Sequence, residues 1–106
     1  AITDTVALGV LAAIRAVGLQ PGPDVSVIGY DGLHFGVHTN PPLTSMEQPR
    51  AHAGRRIAEM IFNLLDGADP KGVRELQRAH LVTRASDAPV NLQVQQKDQS
   101  VREKTQ

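Results

Sequence analysis

Asp31 has the clearest capacity for ligand chemistry in this chain. It follows the β-branched run Val25-Ser26-Val27-Ile28-Gly29 and Tyr30, and it precedes Gly32. In open α/β sheets, ligands bind beyond the carboxyl ends of the strands. A carboxylate at that place only accepts hydrogen bonds, so it can take two from neighbouring hydroxyls of a sugar or nucleoside. Asp before Gly also caps its own turn, and position alone leaves both readings open.

Other chemistry finds less support. His34 and His38 are four apart, the spacing that sets two ligands on one helix face, but Gly32 and Gly36 argue against a helix there. No carboxylate or second histidine pair stands at a recurring zinc spacing, so no metal is expected. Asp66-Gly67-Ala68-Asp69 lacks the oxygen-ligand pattern of a calcium loop and reads as a helix-ending turn. There is no Gly-x-Ser-x-Gly elbow, no phosphate loop and no Gly-x-Gly-x-x-Gly. An enzyme is not expected, and neither is a cofactor. Of the three aromatics, Phe62 reads as packing, and Phe35 could stack on a sugar or pack against a partner.

The chain's bulk properties narrow the setting. Its 106 residues allow one small domain, and 41% hydrophobic residues exclude wholesale disorder. Cysteine is absent, which removes disulfides and thiolate chemistry. No apolar run approaches the ~18 residues of a membrane span. Eleven basic and eleven acidic residues give no net charge, which argues against a nucleic-acid-binding module. The opening Ala1-Ile2-Thr3-Asp4 has neither an initiator Met nor a signal-like stretch, as in a mature protein or in a fragment.

These residues need elements to position them. Thr5–Val17 reads as a helix, capped by Thr3 or Asp4 and ended by Gly18. It is apolar all round apart from Arg15, so it should be covered on more than one side, and a partner chain is the expected second cover. Gln20-Pro21-Gly22-Pro23-Asp24 is a turn, and Val25–Gly29 suits a strand buried on both faces. Residues 32–42 form a loop, and Leu43–Gln48 reads as a second strand. Arg50–Leu65 is an amphipathic helix whose Ala53, Ile57, Met60, Ile61, Leu64 and Leu65 share a face, with Gly67 ending it. Gln77–Arg84 alternates as a third strand, and residues 89–106 form a polar, mobile tail.

Four blocks carry a family resemblance. Thr3-Asp4-Thr5-Val6-Ala7-Leu8-Gly9 resembles the helix entry of LacI/GalR-family bacterial transcription regulators. Gly18-Leu19 through Pro23-Asp24-Val25-Ser26-Val27-Ile28-Gly29-Tyr30-Asp31 is similar to the turn and strand that follow there. Pro41-Pro42-Leu43-Thr44-Ser45 with Gln48-Pro49 and Gly54, and then Leu81-Val82-Thr83-Arg84-Ala85-Ser86, resemble the next two blocks. Their joint order covers residues 1 to about 88 and is highly specific.

The resemblance implies an α/β, partial periplasmic-binding-protein-like fold, a parallel sheet with flanking helices, incomplete in both lobes. Residues 1–88 would be the C-terminal part of an effector domain. Asp31 would accept from effector hydroxyls, with Thr3 and Thr5 lining the crevice and Gln48 and Arg50 at its hinge edge. Thr3 stands where Asn or Ser is common, and Arg50 where an aromatic residue can occur, which favours an anionic contact over stacking. Leu8, Leu11, Ala12, Phe35, His38 and Thr39 would lie at a homodimer interface. The implied function is that of a cytoplasmic repressor that senses a small sugar- or nucleoside-like effector. DNA would be bound only through an N-terminal helix-turn-helix that has no counterpart in this sequence. A fragment of a transport-type periplasmic sugar-binding protein is the alternative, and a small flavodoxin-like enzyme lacks its phosphate loop.

Overall fold

The computed structural model describes residues 3–89. The expected 89–106 tail lies outside the described residues from residue 90 onward. The element order is α1 (Asp4–Ala16), β1 (Ile28–Asp31), a 3₁₀ turn (His34–Val37), β2 (Thr44–Glu47), α2 (Arg50–Leu65), a second 3₁₀ turn (Pro70–Gly72) and β3 (His80–Val82). β2 is the central strand of the three, and β1 runs parallel to it with Ile28 beside Thr44 and Asp31 beside Glu47. Two compact units are present, residues 3–47 with 81–89, and residues 48–80.

Local sequence accounts for the ends of both helices. The Thr3 hydroxyl accepts from the Val6 N–H at 3.2 Å and caps α1. At its far end, Gly18 N–H donates to Arg15 O and Leu19 N–H to Ile14 O, a Schellman motif closed by Gly18 at φ +81°. Gly67 and Ala68 repeat the same pair of bonds, to Leu64 O and Asn63 O, after α2.

The core of the first unit is Ala7, Leu11 and Ile14 of α1 packed with Val27 and Leu43. The buried stripe of α1 runs 4, 7, 11, 14, so its first member is a carboxylate, Asp4.

Three expectations about the elements change. The first strand begins at Ile28 instead of Val25, because residues 25–27 bond elsewhere. Val25 O accepts from Gly22 N–H inside the turn, Val27 N–H donates to Ser86 O, and Ser26 Oγ meets the backbone of Ala88. Nor is β1 buried on both faces. Gly29 faces Asp4 and Leu43, whereas Ile28 and Tyr30 are each 39% exposed. Only α1 packs on this strand closely among the described elements, and successive side chains point to opposite faces. The third strand shrinks from Gln77–Arg84 to His80–Val82. Beyond it, Arg84 N–H goes to the Thr44 hydroxyl and Ala85 N–H to Pro42 O.

In the second unit, α2 has the expected ends, and its apolar face is uncovered. Ile57, Ile61, Leu64 and Leu65 are all exposed, and no residue of the helix is buried. Phe62, expected to pack, is 65% exposed. Arg56 instead organises the polar side through ion pairs with Glu59 and with Glu75.

Candidate functional site

The carboxyl end of β1 is built around two carboxylates with different tasks. Asp31, half-buried, ends the strand with φ +111°, a left-handed conformation that a residue with a Cβ adopts only under constraint. Gly32 follows at φ +65°, packed so closely on Glu47 that an added Cβ would stand 2.6 Å from its Cγ.

Beside this turn lies Asp4, which is fully buried. One carboxylate oxygen accepts from Ser45 Oγ at 2.6 Å, and the other from Leu33 N–H at 2.7 Å. Ser45 Oγ in turn accepts from Gly32 N–H at 3.2 Å. The two amides that follow Asp31 are therefore both held by side chains from other elements. Burying a carboxylate is unfavourable unless charge-assisted bonds and nearby dipoles compensate. The first turn of α1 adds its partial positive charge to those two bonds.

This network ties the start of α1, where Thr3 and Thr5 flank Asp4, to the turn that follows Asp31. Thr3 is half-buried with its hydroxyl already engaged as the α1 cap, while Thr5 is exposed in the first turn. Gln48 and Arg50 belong to the second unit; Gln48 is half-buried, and Arg50 opens α2 exposed to solvent. Sequence reasoning missed Asp4 as a site-building residue, offering it only as a possible cap. The signal was available: Asp4 stands three residues before Ala7, in step with Leu11 and Ile14.

A second buried network closes the unit. Ser86 Oγ donates to Val27 O at 2.6 Å and accepts from Thr44 N–H at 2.8 Å, and the Thr44 hydroxyl donates to Asp87. Arg84 Nη1 donates to Leu43 O at 2.6 Å. Residues from each of the four blocks that carry the family resemblance thus meet inside this unit.

The expected association residues divide. Leu8 and Ala12 are exposed on α1, flanked by Val6 at 47% exposure. Leu11 is 2% exposed and sits in the core, because it follows Ala7 by four residues on the inward face. Phe35 is half-buried, His38 is exposed, and the Thr39 hydroxyl faces Gly36 O and Pro41 O at 2.9 Å each. His34 and His38 lie edge to face with ring centres 6.0 Å apart, on a single 3₁₀ turn. Among the described residues, no group of three or more His, Asp or Glu side chains converges on a point. None of the described helices is long and apolar enough to cross a membrane.

A parallel β1–β2 pair, a covering helix and a carboxylate at the strand's carboxyl end define part of a ligand-binding α/β domain. A family profile described as a periplasmic binding protein-like domain matches residues 1–86. The transcriptional regulator CelR of Thermobifida fusca is 35% identical over 86 residues, 81% of this chain and 25% of that protein. A dimeric Lac repressor lacking 11 C-terminal residues superposes with a TM-score of 0.79 at 33% identity, over 85% of this chain and 33% of that one. A LacI-family regulator from Arthrobacter sp. FB24, in complex with lactose, gives 0.75 at 31% identity, over 81% and 33%. This chain belongs to the periplasmic binding protein-like domain family, in its LacI-type regulator branch. It spans about a quarter to a third of the length of these relatives.

Proposed function

We propose that this chain forms the effector-sensing and dimerising part of a LacI-type transcriptional repressor. The whole protein holds a small sugar-like ligand between two lobes and regulates DNA binding allosterically. The observation that carries this reading is Asp31, held at the carboxyl end of a parallel strand in a backbone conformation that its neighbours impose. A residue kept in that region against its own preference points to a task at the site. The kinship with regulators supports a regulator over the transport-type alternative, and one of them in complex with lactose is consistent with a sugar-like effector.

The protein works by binding instead of catalysis, in the cytoplasm where its operator lies. The Asp31 carboxylate accepts from effector hydroxyls with Thr3 and Thr5 beside it, and Gln48 and Arg50 are the further effector residues that the family resemblance implies. An effector can shift a two-state equilibrium only through a difference in affinity for the two arrangements. The dimer carries that difference to DNA-reading segments. Its contact surface is the exposed face of α1, through Leu8 and Ala12, continued by Phe35, His38 and Thr39.

The test is a thermal-shift screen of the full-length protein against sugars and nucleosides, followed by operator binding with and without the hit. Stabilisation by a ligand grows with its concentration above Kd. A sugar should raise the melting temperature and change operator affinity. Silence from every sugar at millimolar concentration overturns the proposal. Sedimentation addresses the partner: a monomer that persists at high micromolar concentration removes the dimer.

A further inference from the structure

We propose that Asp4 is a positioning residue for the effector site, setting the Asp31–Gly32 turn without touching the ligand itself. The inference rests on the reading of Asp31 as the effector contact. Asp4 is 0% exposed, yet its two oxygens reach the turn by separate routes: directly to Leu33 N–H at 2.7 Å, and through Ser45 Oγ to Gly32 N–H.

The direction of this relay follows from proton count. Ser45 has one hydroxyl proton, and the carboxylate takes it at 2.6 Å, which leaves the oxygen's lone pairs to receive Gly32 N–H. Asp4 accepts on both sides at once, as the two oxygens of a carboxylate can. Each bond holds one of the two peptide units after Asp31, whose φ of +111° would otherwise relax towards the extended region. Gly29 leaves the space for this arrangement: a Cβ there would stand 2.0 Å from the Asp4 oxygen that Ser45 contacts. The helix entry, the central strand and the ligand-facing turn are thereby coupled through one buried group.

The experiment compares full-length protein with Asp4→Ala and Ser45→Ala by two readouts. The first needs no ligand: amide exchange of Gly32 and Leu33, and the HN–Hα coupling of Asp31, which reports its φ. Asp4→Ala should speed exchange at both amides and raise the Asp31 coupling towards the extended-strand value. Ser45→Ala should speed exchange at Gly32 more than at Leu33, and it decides the matter if Asp4→Ala does not fold. The second readout is calorimetric affinity for lactose and cellobiose, expected to weaken about 3- to 30-fold. Unchanged exchange and coupling in a folded variant overturn the proposal. A changed turn with unchanged sugar affinity overturns its link to the effector. If no sugar of the thermal-shift screen, lactose and cellobiose included, binds the unsubstituted protein while the turn still responds, the sugar reading of Asp31 falls and the positioning of the turn stands.

Discussion

A Cβ on Gly29 would stand 2.0 Å from Oδ1 of Asp4, so the carboxylate of the first helix occupies the room that any other residue in β1 would need. The helix can approach the strand this closely only because the strand has no side chain there.

Gly29→Ala should therefore destabilise the folded chain by roughly 2–4 kcal/mol, by overpacking and by displacing a carboxylate from two buried bonds. In a double-mutant cycle, much of that loss should already be present in Asp4→Ala, since the two residues compete for one volume. Denaturant unfolding measures both, and strict additivity would show that the contact is not the cause.

At Asp31, strain and function can be separated by comparing Gly with Ala. Both substitutions remove the carboxylate and should weaken effector binding by roughly 1–3 kcal/mol, as unpaired hydroxyls are left behind. Only Ala retains the Cβ that a φ of +111° disfavours. Asp31→Gly should accordingly be more stable than Asp31→Ala by about 1 kcal/mol. Equal unfolding midpoints would argue that the turn relaxes once the carboxylate is gone.

Ser86 is fully buried and serves two backbone groups, Val27 O and Thr44 N–H. Ser86→Ala preserves nearly all of the volume and leaves both groups without their partner, at a cost of about 2–4 kcal/mol. Hydrogen exchange should show the Thr44 amide losing protection. Retained protection there would mean that another acceptor has replaced the hydroxyl.

In the second unit, the hydrogen bond from Arg56 holds Glu75 below the usual glutamate range, helped by Gln77. A carboxylate whose folded pKa is depressed stabilises the fold above its unfolded value and loses that contribution as pH falls through the folded one. The Arg56–Glu75 pair should thus matter at neutral pH and fade on the acidic side of the ordinary glutamate range. Because both groups are exposed, the effect on stability is small and screened by salt. NMR titration of Glu75 in Arg56→Ala should show a midpoint moved up towards the ordinary value; an unmoved midpoint would remove Arg56 as the cause.

Several features of this protein are local, and the sequence determines them unaided. Both helices end where Gly18 and Gly67 allow a left-handed residue, and α1 starts at Thr3 because a hydroxyl there meets the Val6 N–H. The second strand, between prolines, and the joint order of the four family blocks were equally legible. So was the place of Asp31 at the carboxyl end of a strand, although the strand itself is Ile28–Asp31.

Tertiary structure decided what depends on partners distant in sequence. Val25 left the strand because it bonds inside its own turn, whereas Val27 and the Ser26 hydroxyl bond to Ser86 and Ala88, partners some 60 positions away that no local pattern encodes. Leu11 and Leu8 look alike on an all-apolar helix, and only the position of Val27 and Leu43 makes one core and the other surface. The apolar face of α2 was read correctly as a face, but periodicity does not say what covers it. Asp4 is the clearest case. A polar residue in the cap region of a helix is expected to face water, and only Ser45, Leu33 and the missing side chain of Gly29 turn it into a buried clamp on the candidate effector turn.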